Sequence, residues 1–89
     1  MPIRIQVEAV GAGTYRLNVD GSETEPLSVS EHDTLAAVAA GLKRQLADLA
    51  GVAITIGSEH RAGAFRVYGA RKITGVFPID AAVEISEVP

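Results

Sequence analysis

The chain has no cysteine, no tryptophan and only two histidines in 89 residues. Without cysteine there is no disulfide framework, thiolate metal ligand or cysteine nucleophile. Aromatics are limited to Tyr15, Phe65, Tyr68 and Phe77, which argues against stacking sites for nucleotides or carbohydrates. Positive charge is also scarce: eight Lys and Arg against eleven Asp and Glu leave a formal charge of -3. The excess acid lies in residues 1–50, while residues 51–89 hold four charges of each sign. No basic face for nucleic acid emerges from this balance. No apolar run approaches the roughly 20 residues needed to span a bilayer. The N-terminal MPIRIQVEAV lacks the basic-then-apolar pattern of a signal peptide. These absences predict no nucleic-acid or membrane partner. They also predict a protein that is made and stays soluble in the cytoplasm unless it leaves inside a larger assembly.

What is present is a single domain, residues 1–89, with enough apolar material for one modest core. The chain is 47% hydrophobic, with a mean hydropathy of +0.21. For a small domain that is rather apolar. Either other subunits cover part of the surface, or the sequence is simply rich in Ala and Val.

Only Asp33 to Gly51 has a helical period. Leu35, Val38, Ala39, Leu42, Leu46 and Leu49 recur at three- and four-residue spacing and share one stripe. Asp33 or Thr34 suits the N-cap, with Ser30 and Asp33 resembling a capping box, and Gly51 suits the stop. Elsewhere the period is two. Ile3 to Ala9 and Tyr15 to Val19 alternate apolar and polar residues, and Gly11-Ala12-Gly13 between them suits a hairpin or bulge. Asp20-Gly21 suits a tight turn. Further strands are predicted over Thr24–Val29, with Pro26 at an edge or start, then Val52–Ile56, Phe65–Gly69 and Ile79–Ile85. Arg71 to Gly75 reads as a connector, with room for a short extended piece. The expected fold is α+β, in the order β-β-β-α-β-β-β: a mainly antiparallel sheet of five to six strands with one helix packed across it.

No motif carries chemistry. Ser58-Glu59-His60 has the residue types of a hydrolytic triad, but neighbours in a loop diverge rather than converge. His32 and His60 lack metal-ligand spacing. Gly11-Ala12-Gly13 precedes a strand, whereas a phosphate-binding glycine loop opens a helix. No catalytic residue, metal or cofactor is predicted. Two features suit contact with other proteins instead. Ala36, Ala37, Ala40, Gly41 and Ala47, with Arg44 and Asp48, lie away from the leucine stripe, a small-residue face that either lets another element approach closely or reflects only that alanine is the best helix former. A glycine in mid-helix costs about 1 kcal/mol relative to alanine, so close packing explains Gly41 better than propensity does. Arg61, Arg66, Arg71 and Lys72 form the one basic concentration, either a solvated edge or a patch meeting the acidic first half of a neighbouring subunit. The candidate interface residues are therefore Ala37, Ala40, Gly41, Arg44, Arg61, Arg66 and Arg71.

The segments TYRLNVDG, PLSVS, the Asp-Thr start of LAAVAAGLKRQLA, and GVAITI together resemble a small module of tailed-bacteriophage virion proteins. There a strand ends in an Asn-Gly or Asp-Gly turn, and a second strand leads to a D-T-x-x-x-[IV]-A-x-x-[LI] helix. A strand then follows directly after a glycine. The matching residues are Tyr15, Leu17, Val19, Gly21, Asp33, Thr34, Val38, Ala39, Leu42 and Gly51. Copies of the module occur in tail sheath, tail tube-associated and fibre proteins. The later AITIGSEHRAGAFRVYG and VFPIDAAVEIS fit the pattern, while the strand from Ile3 to Val10 lies outside it. The resemblance implies a non-enzymatic structural subunit of a phage or phage-like virion, a tail, neck or decoration component. Its partners would be itself, as a homo-oligomer, or a larger virion protein, and its location the virion, assembled in the host cytoplasm. An intracellular adaptor or peptide-binding module using an exposed sheet edge is the alternative. A small enzyme using Glu59 and His60 is a third class.

Overall fold

Period-two alternation puts Ile3, Ile5 and Val7 on one side of the first strand, and Tyr15, Leu17 and Val19 on one side of the second. All six are buried. The computed structural model describes residues 1–89. It has eight strands: β1 (Ile3–Ala9), β2 (Gly13–Val19), β3 (Ser22–Glu23), β4 (Leu27–Val29), β5 (Thr55–Ser58), β6 (Ala64–Tyr68), β7 (Ile73–Val76) and β8 (Ala82–Glu87). One helix, α1 (Leu35–Ala47), lies between β4 and β5 in the chain. The fold is α+β, 43% strand and 15% helix.

The expected single sheet of five to six strands is replaced by two antiparallel sheets. Sheet I has the order β5-β6-β1-β8, and sheet II is built on β2, which pairs with β3, β4 and β7. Three local events account for the difference. First, Gly11-Ala12-Gly13 is not a hairpin. β1 and β2 belong to different sheets, and the glycines let the chain cross between them. Second, the expected strand Thr24–Val29 is interrupted. Thr24 is buried; its N–H donates to the Leu17 carbonyl and its Oγ1 accepts the Leu17 N–H. That reciprocal pair, followed by Pro26 with no N–H to give, separates β3 from β4. Third, the expected connector Arg71–Gly75 contains most of β7, which pairs along β2 from Arg16–Val76 to Val19–Ile73. The helix closes the structure by touching β1 and β6 of sheet I and β2 and β4 of sheet II.

Local chemistry sets the connections. Asp20 and Gly21 have φ of 52° and 95°, the positive pair that a type I′ hairpin turn needs. The Asp20 carboxylate also accepts the N–H groups of Arg71 and Lys72, at 3.0 and 2.8 Å. This ties the turn to the β6–β7 connection. Thr34 is the N-cap, its Oγ1 accepting from Ala37 N–H at 3.1 Å. Asp33 instead reaches back to accept the Ser30 N–H at 2.8 Å. The helix ends at Ala47 with Asp48 as C-cap, so Gly51 and Leu49 lie in the turn beyond it.

Gly41 corrects the reading of the helix back face. It is buried, on the flank of the apolar stripe, and a Cβ there would come within 2.8 Å of Leu27 Cδ2. The close approach that Gly41 permits is to β4 of its own chain. Gly41→Leu is expected to push β4 off the helix and cost about 1–3 kcal/mol, as overpacking does. Gly41→Ala is expected to be near neutral. The methyl ends of Leu27 can give way, and alanine recovers about 1 kcal/mol of helix propensity. Urea unfolding of both variants separates the two effects.

Candidate functional site

The outer face of sheet I has an electrostatic problem that the sequence does not reveal. Arg4 on β1 and Arg66 on β6 are directly paired positions. Each follows the polar phase of its strand, so both point away from the core. Like charges placed opposite each other in a sheet repel. Glu59, just after β5, bridges them. Its two carboxylate oxygens accept from Arg4 Nε at 3.0 and 2.9 Å, and Oε2 also accepts from Arg66 Nε at 3.2 Å. The pairs are partly shielded, with side-chain exposures of 20% for Arg4 and 17% for Glu59. Arg4 also donates through Nη1 to Gln6.

Partial burial by itself would raise the Glu59 carboxyl. Hydrogen bonds from Arg4 and Arg66, helped by their charges, outweigh it and hold the group below its ordinary value of 4.5. The Arg66 guanidinium is shifted upward by Glu59 first and then by the Tyr68 hydroxyl. A depressed carboxyl stabilises the folded state above its unfolded value, and that contribution is lost as pH falls through the folded value. Stability should therefore be flat in this respect above about pH 4.5 and decline at lower pH. Glu59→Gln is expected to be less stable than wild type at neutral pH, with the gap closing in acid. Thermal melts from about pH 7 down to about pH 2.5 measure it.

Around this bridge lies an open cleft of about 550 Å³ lined by Arg4, Ser58, Glu59, His60, Arg61, Arg66 and Tyr68. Three guanidiniums against one carboxylate leave the cleft positive in a protein whose net charge is -3. The Ser58-Glu59-His60 run does not converge into a triad. Glu59 is engaged by the two arginines, and no hydrogen bond links it to His60 or Ser58. His32 sits at an exposed turn, 3.6 Å from Glu31. No group of three or more His, Cys, Asp or Glu comes together as metal ligands.

The structure divides the basic concentration expected from sequence. Arg61 and Arg66 share the cleft with Arg4, whereas Arg71 and Lys72 lie beyond the far end of β6, their backbone amides held by Asp20. No local signal in the sequence marks Arg4 for the cleft, because its strand partner is 62 residues away; its place on the polar phase of β1 is the one trace. Ala37, Ala40, Gly41 and Arg44 do come together, in a second groove of about 380 Å³ between α1 and β4 that Leu27, Ser28 and Val29 complete. Ala37, Ala40 and Arg44 are exposed there, and Gly41 forms part of the floor.

No family model, characterised protein or solved structure matches the chain. No helix is long and apolar enough to cross a membrane.

Proposed function

We propose that the protein is a non-enzymatic structural subunit of a phage or phage-like particle, a tail, neck or decoration component. It acts by self-assembly or by docking on a larger particle protein. The observation that supports this reading is the open architecture. Neither sheet closes on itself, and β5, β8, β4 and β7 each have only one strand neighbour. An edge strand presents unpaired N–H and C=O groups to which another chain can add a strand. Exposed apolar side chains accompany these edges: Val76 on β7 is 73% exposed and Ile79 in the following loop 98%. The resemblance in the β2–α1 region points the same way. Native mass measurement of the purified protein, with mass spectrometry of purified particles, tests the proposal. A multimer, or the chain in stoichiometric amount in particles, is expected. A plain monomer that is also absent from particles would remove the reading.

A second reading is an adaptor that binds an extended peptide at a sheet edge. The α1–β4 groove favours it, because β4, paired with β2 alone, runs there beside a helix that presents Ala37, Ala40 and Gly41 with Arg44 to the groove. Under this reading Ala37→Trp blocks capture of peptide without unfolding the chain, since Ala37 is exposed. Retention of binding partners by that variant would count against it.

A further inference from the structure

The sheet I cleft is only one-third neutralised within its own chain, with three guanidiniums against one carboxylate. Glu59 is shared between Arg4 and Arg66 through their Nε atoms. Arg61 lines the same cleft, exposed and without an ion-pair partner. The charge that remains is positive and partly held in place, since Glu59 fixes the planes of two of the three guanidiniums.

A second cleft has the opposite imbalance. Ser22, Glu23, Glu25, Gln45, Asp48, Leu49 and Ala50 line about 340 Å³ between β3 and the end of α1. Three acids and no base face it. Arg16, on the neighbouring strand, reaches only Glu23, at 3.1 Å. Glu25 has no partner. Asp48 is the C-cap of α1, where the helix dipole is negative and a carboxylate is disfavoured. Arg16 therefore offsets only one of the three acids, and no cation of the chain pairs with Glu25 or Asp48. The two clefts share no residue and no ion pair. One lies on the outer face of sheet I, the other beside the edge of sheet II.

We infer that the Arg4–Arg61–Arg66 cleft docks on the Glu23–Glu25–Asp48 cleft of a second copy of this chain, head to tail. The inference rests on the reading of the protein as a self-assembling particle component, and it names the surfaces that carry assembly. Each cleft supplies the counter-charge that the other lacks, and charge complementarity of this kind sets both partner choice and association rate. Because the two surfaces differ, the contact is heterologous. Every docked copy leaves one free cleft of each kind, so growth ends in a closed ring or continues as a filament.

The test uses the full chain and two single reversals, Arg61→Glu and Glu25→Lys. Both positions are exposed and unpaired, so circular dichroism should show the wild-type fold in each. Sedimentation velocity is run at ionic strengths of about 0.01 M and about 1 M, between which the screening length falls from about 30 Å to about 3 Å. Wild type is expected to associate at low salt and to weaken about tenfold or more at high salt. Each variant alone should associate about tenfold or more weakly at low salt. An equal mixture of the two should recover association, because the R61E cleft then meets the E25K cleft and the remaining native clefts meet each other. A wild type that is monomeric at both salts, or variants that associate as wild type does, or a mixture no better than its components, would overturn the inference. Association that survives both reversals leaves the particle role standing on the strand edges. Absence from purified particles removes that role yet leaves the head-to-tail contact measurable in solution.

Discussion

Phe65→Ala is expected to lower stability by about 3–5 kcal/mol, the usual cost of removing a fully buried aromatic ring. Phe65 has no exposed surface, and it pairs across β6–β1 with Ile5, which is equally buried. It belongs to the one core cluster that joins β1, β2, β4, β6, β7 and α1. A ring removed there leaves a cavity between two sheets and a helix, and none of the three can collapse inward without breaking its own pairing. Small domains are stable by roughly 5–15 kcal/mol in total, so the loss is a large share of it. The melting temperature should fall by about 12–40 °C, at roughly 4–8 °C per kcal/mol for a domain of this size. Val76→Ala is the matched control. It removes a strand residue that is 73% exposed and should stay within about 0.5 kcal/mol of wild type. A Phe65→Ala protein that melts within a few degrees of wild type would show that the two sheets do not share a core.

Tyr15→Phe removes one oxygen and is expected to cost about 1–3 kcal/mol for each backbone group it orphans. The Tyr15 hydroxyl accepts the Gly11 N–H and donates to the Gly11 carbonyl, both at 2.9 Å, and both bonds are buried. This pair holds the crossover between the sheets. The Phe variant keeps the ring and its tilted packing on Phe77, at 5.7 Å between centroids, so the measured loss belongs to the hydroxyl. Gly11 is constrained from the other side as well. A Cβ at this position would lie 2.6 Å from Ala81 N and 2.7 Å from the Asp80 carbonyl carbon. Backbone cannot rotate aside as a side-chain end can, so Gly11→Ala should force the two loops apart and destabilise by about 1–3 kcal/mol. The double variant should cost less than the sum, because each change alone already loosens the same crossover. Strict additivity in urea unfolding would mean that Tyr15 and Gly11 act independently.

Much of the candidate site was not legible in the sequence, and particular residues show why. Arg66 and Arg61 were visible as bases near a loop, but the residue that pairs with Arg66 across the sheet is Arg4, and the acid that reconciles them is 55 positions from Arg4. Strand pairing at that range is decided by the whole topology, not by any window of residues. Glu59 read as part of a polar loop with His60, because adjacency in sequence is visible and adjacency across a sheet is not. From the sequence Gly41 reads as a place of close approach and is grouped with residues facing other proteins; the approach it permits is to its own chain. Its partner, Leu27, could be named only once β4 was placed against the helix.

What the sequence by itself determined is local and periodic. The three-to-four spacing from Leu35 to Leu46 specifies one helix with a buried stripe. Alternation specifies the faces of β1, β2, β6 and β8. Asp33-Thr34 marks the helix start because a side-chain oxygen there can meet a free amide within one turn, the structure choosing Thr34, and Asp20-Gly21 turns because both residues accept positive φ. These choices are settled within a few residues, so a few residues reveal them. The tertiary structure alone decided the division into two sheets, the break between β3 and β4 at Thr24, the strand hidden in Arg71–Gly75, and the opposition of Arg4 to Arg66. Each depends on which distant segment lies alongside, and that is settled by burying a shared core around Tyr15, Leu17, Leu42 and Phe65. Alternation says which side of a strand is apolar; only the packed core says which strand lies beside it.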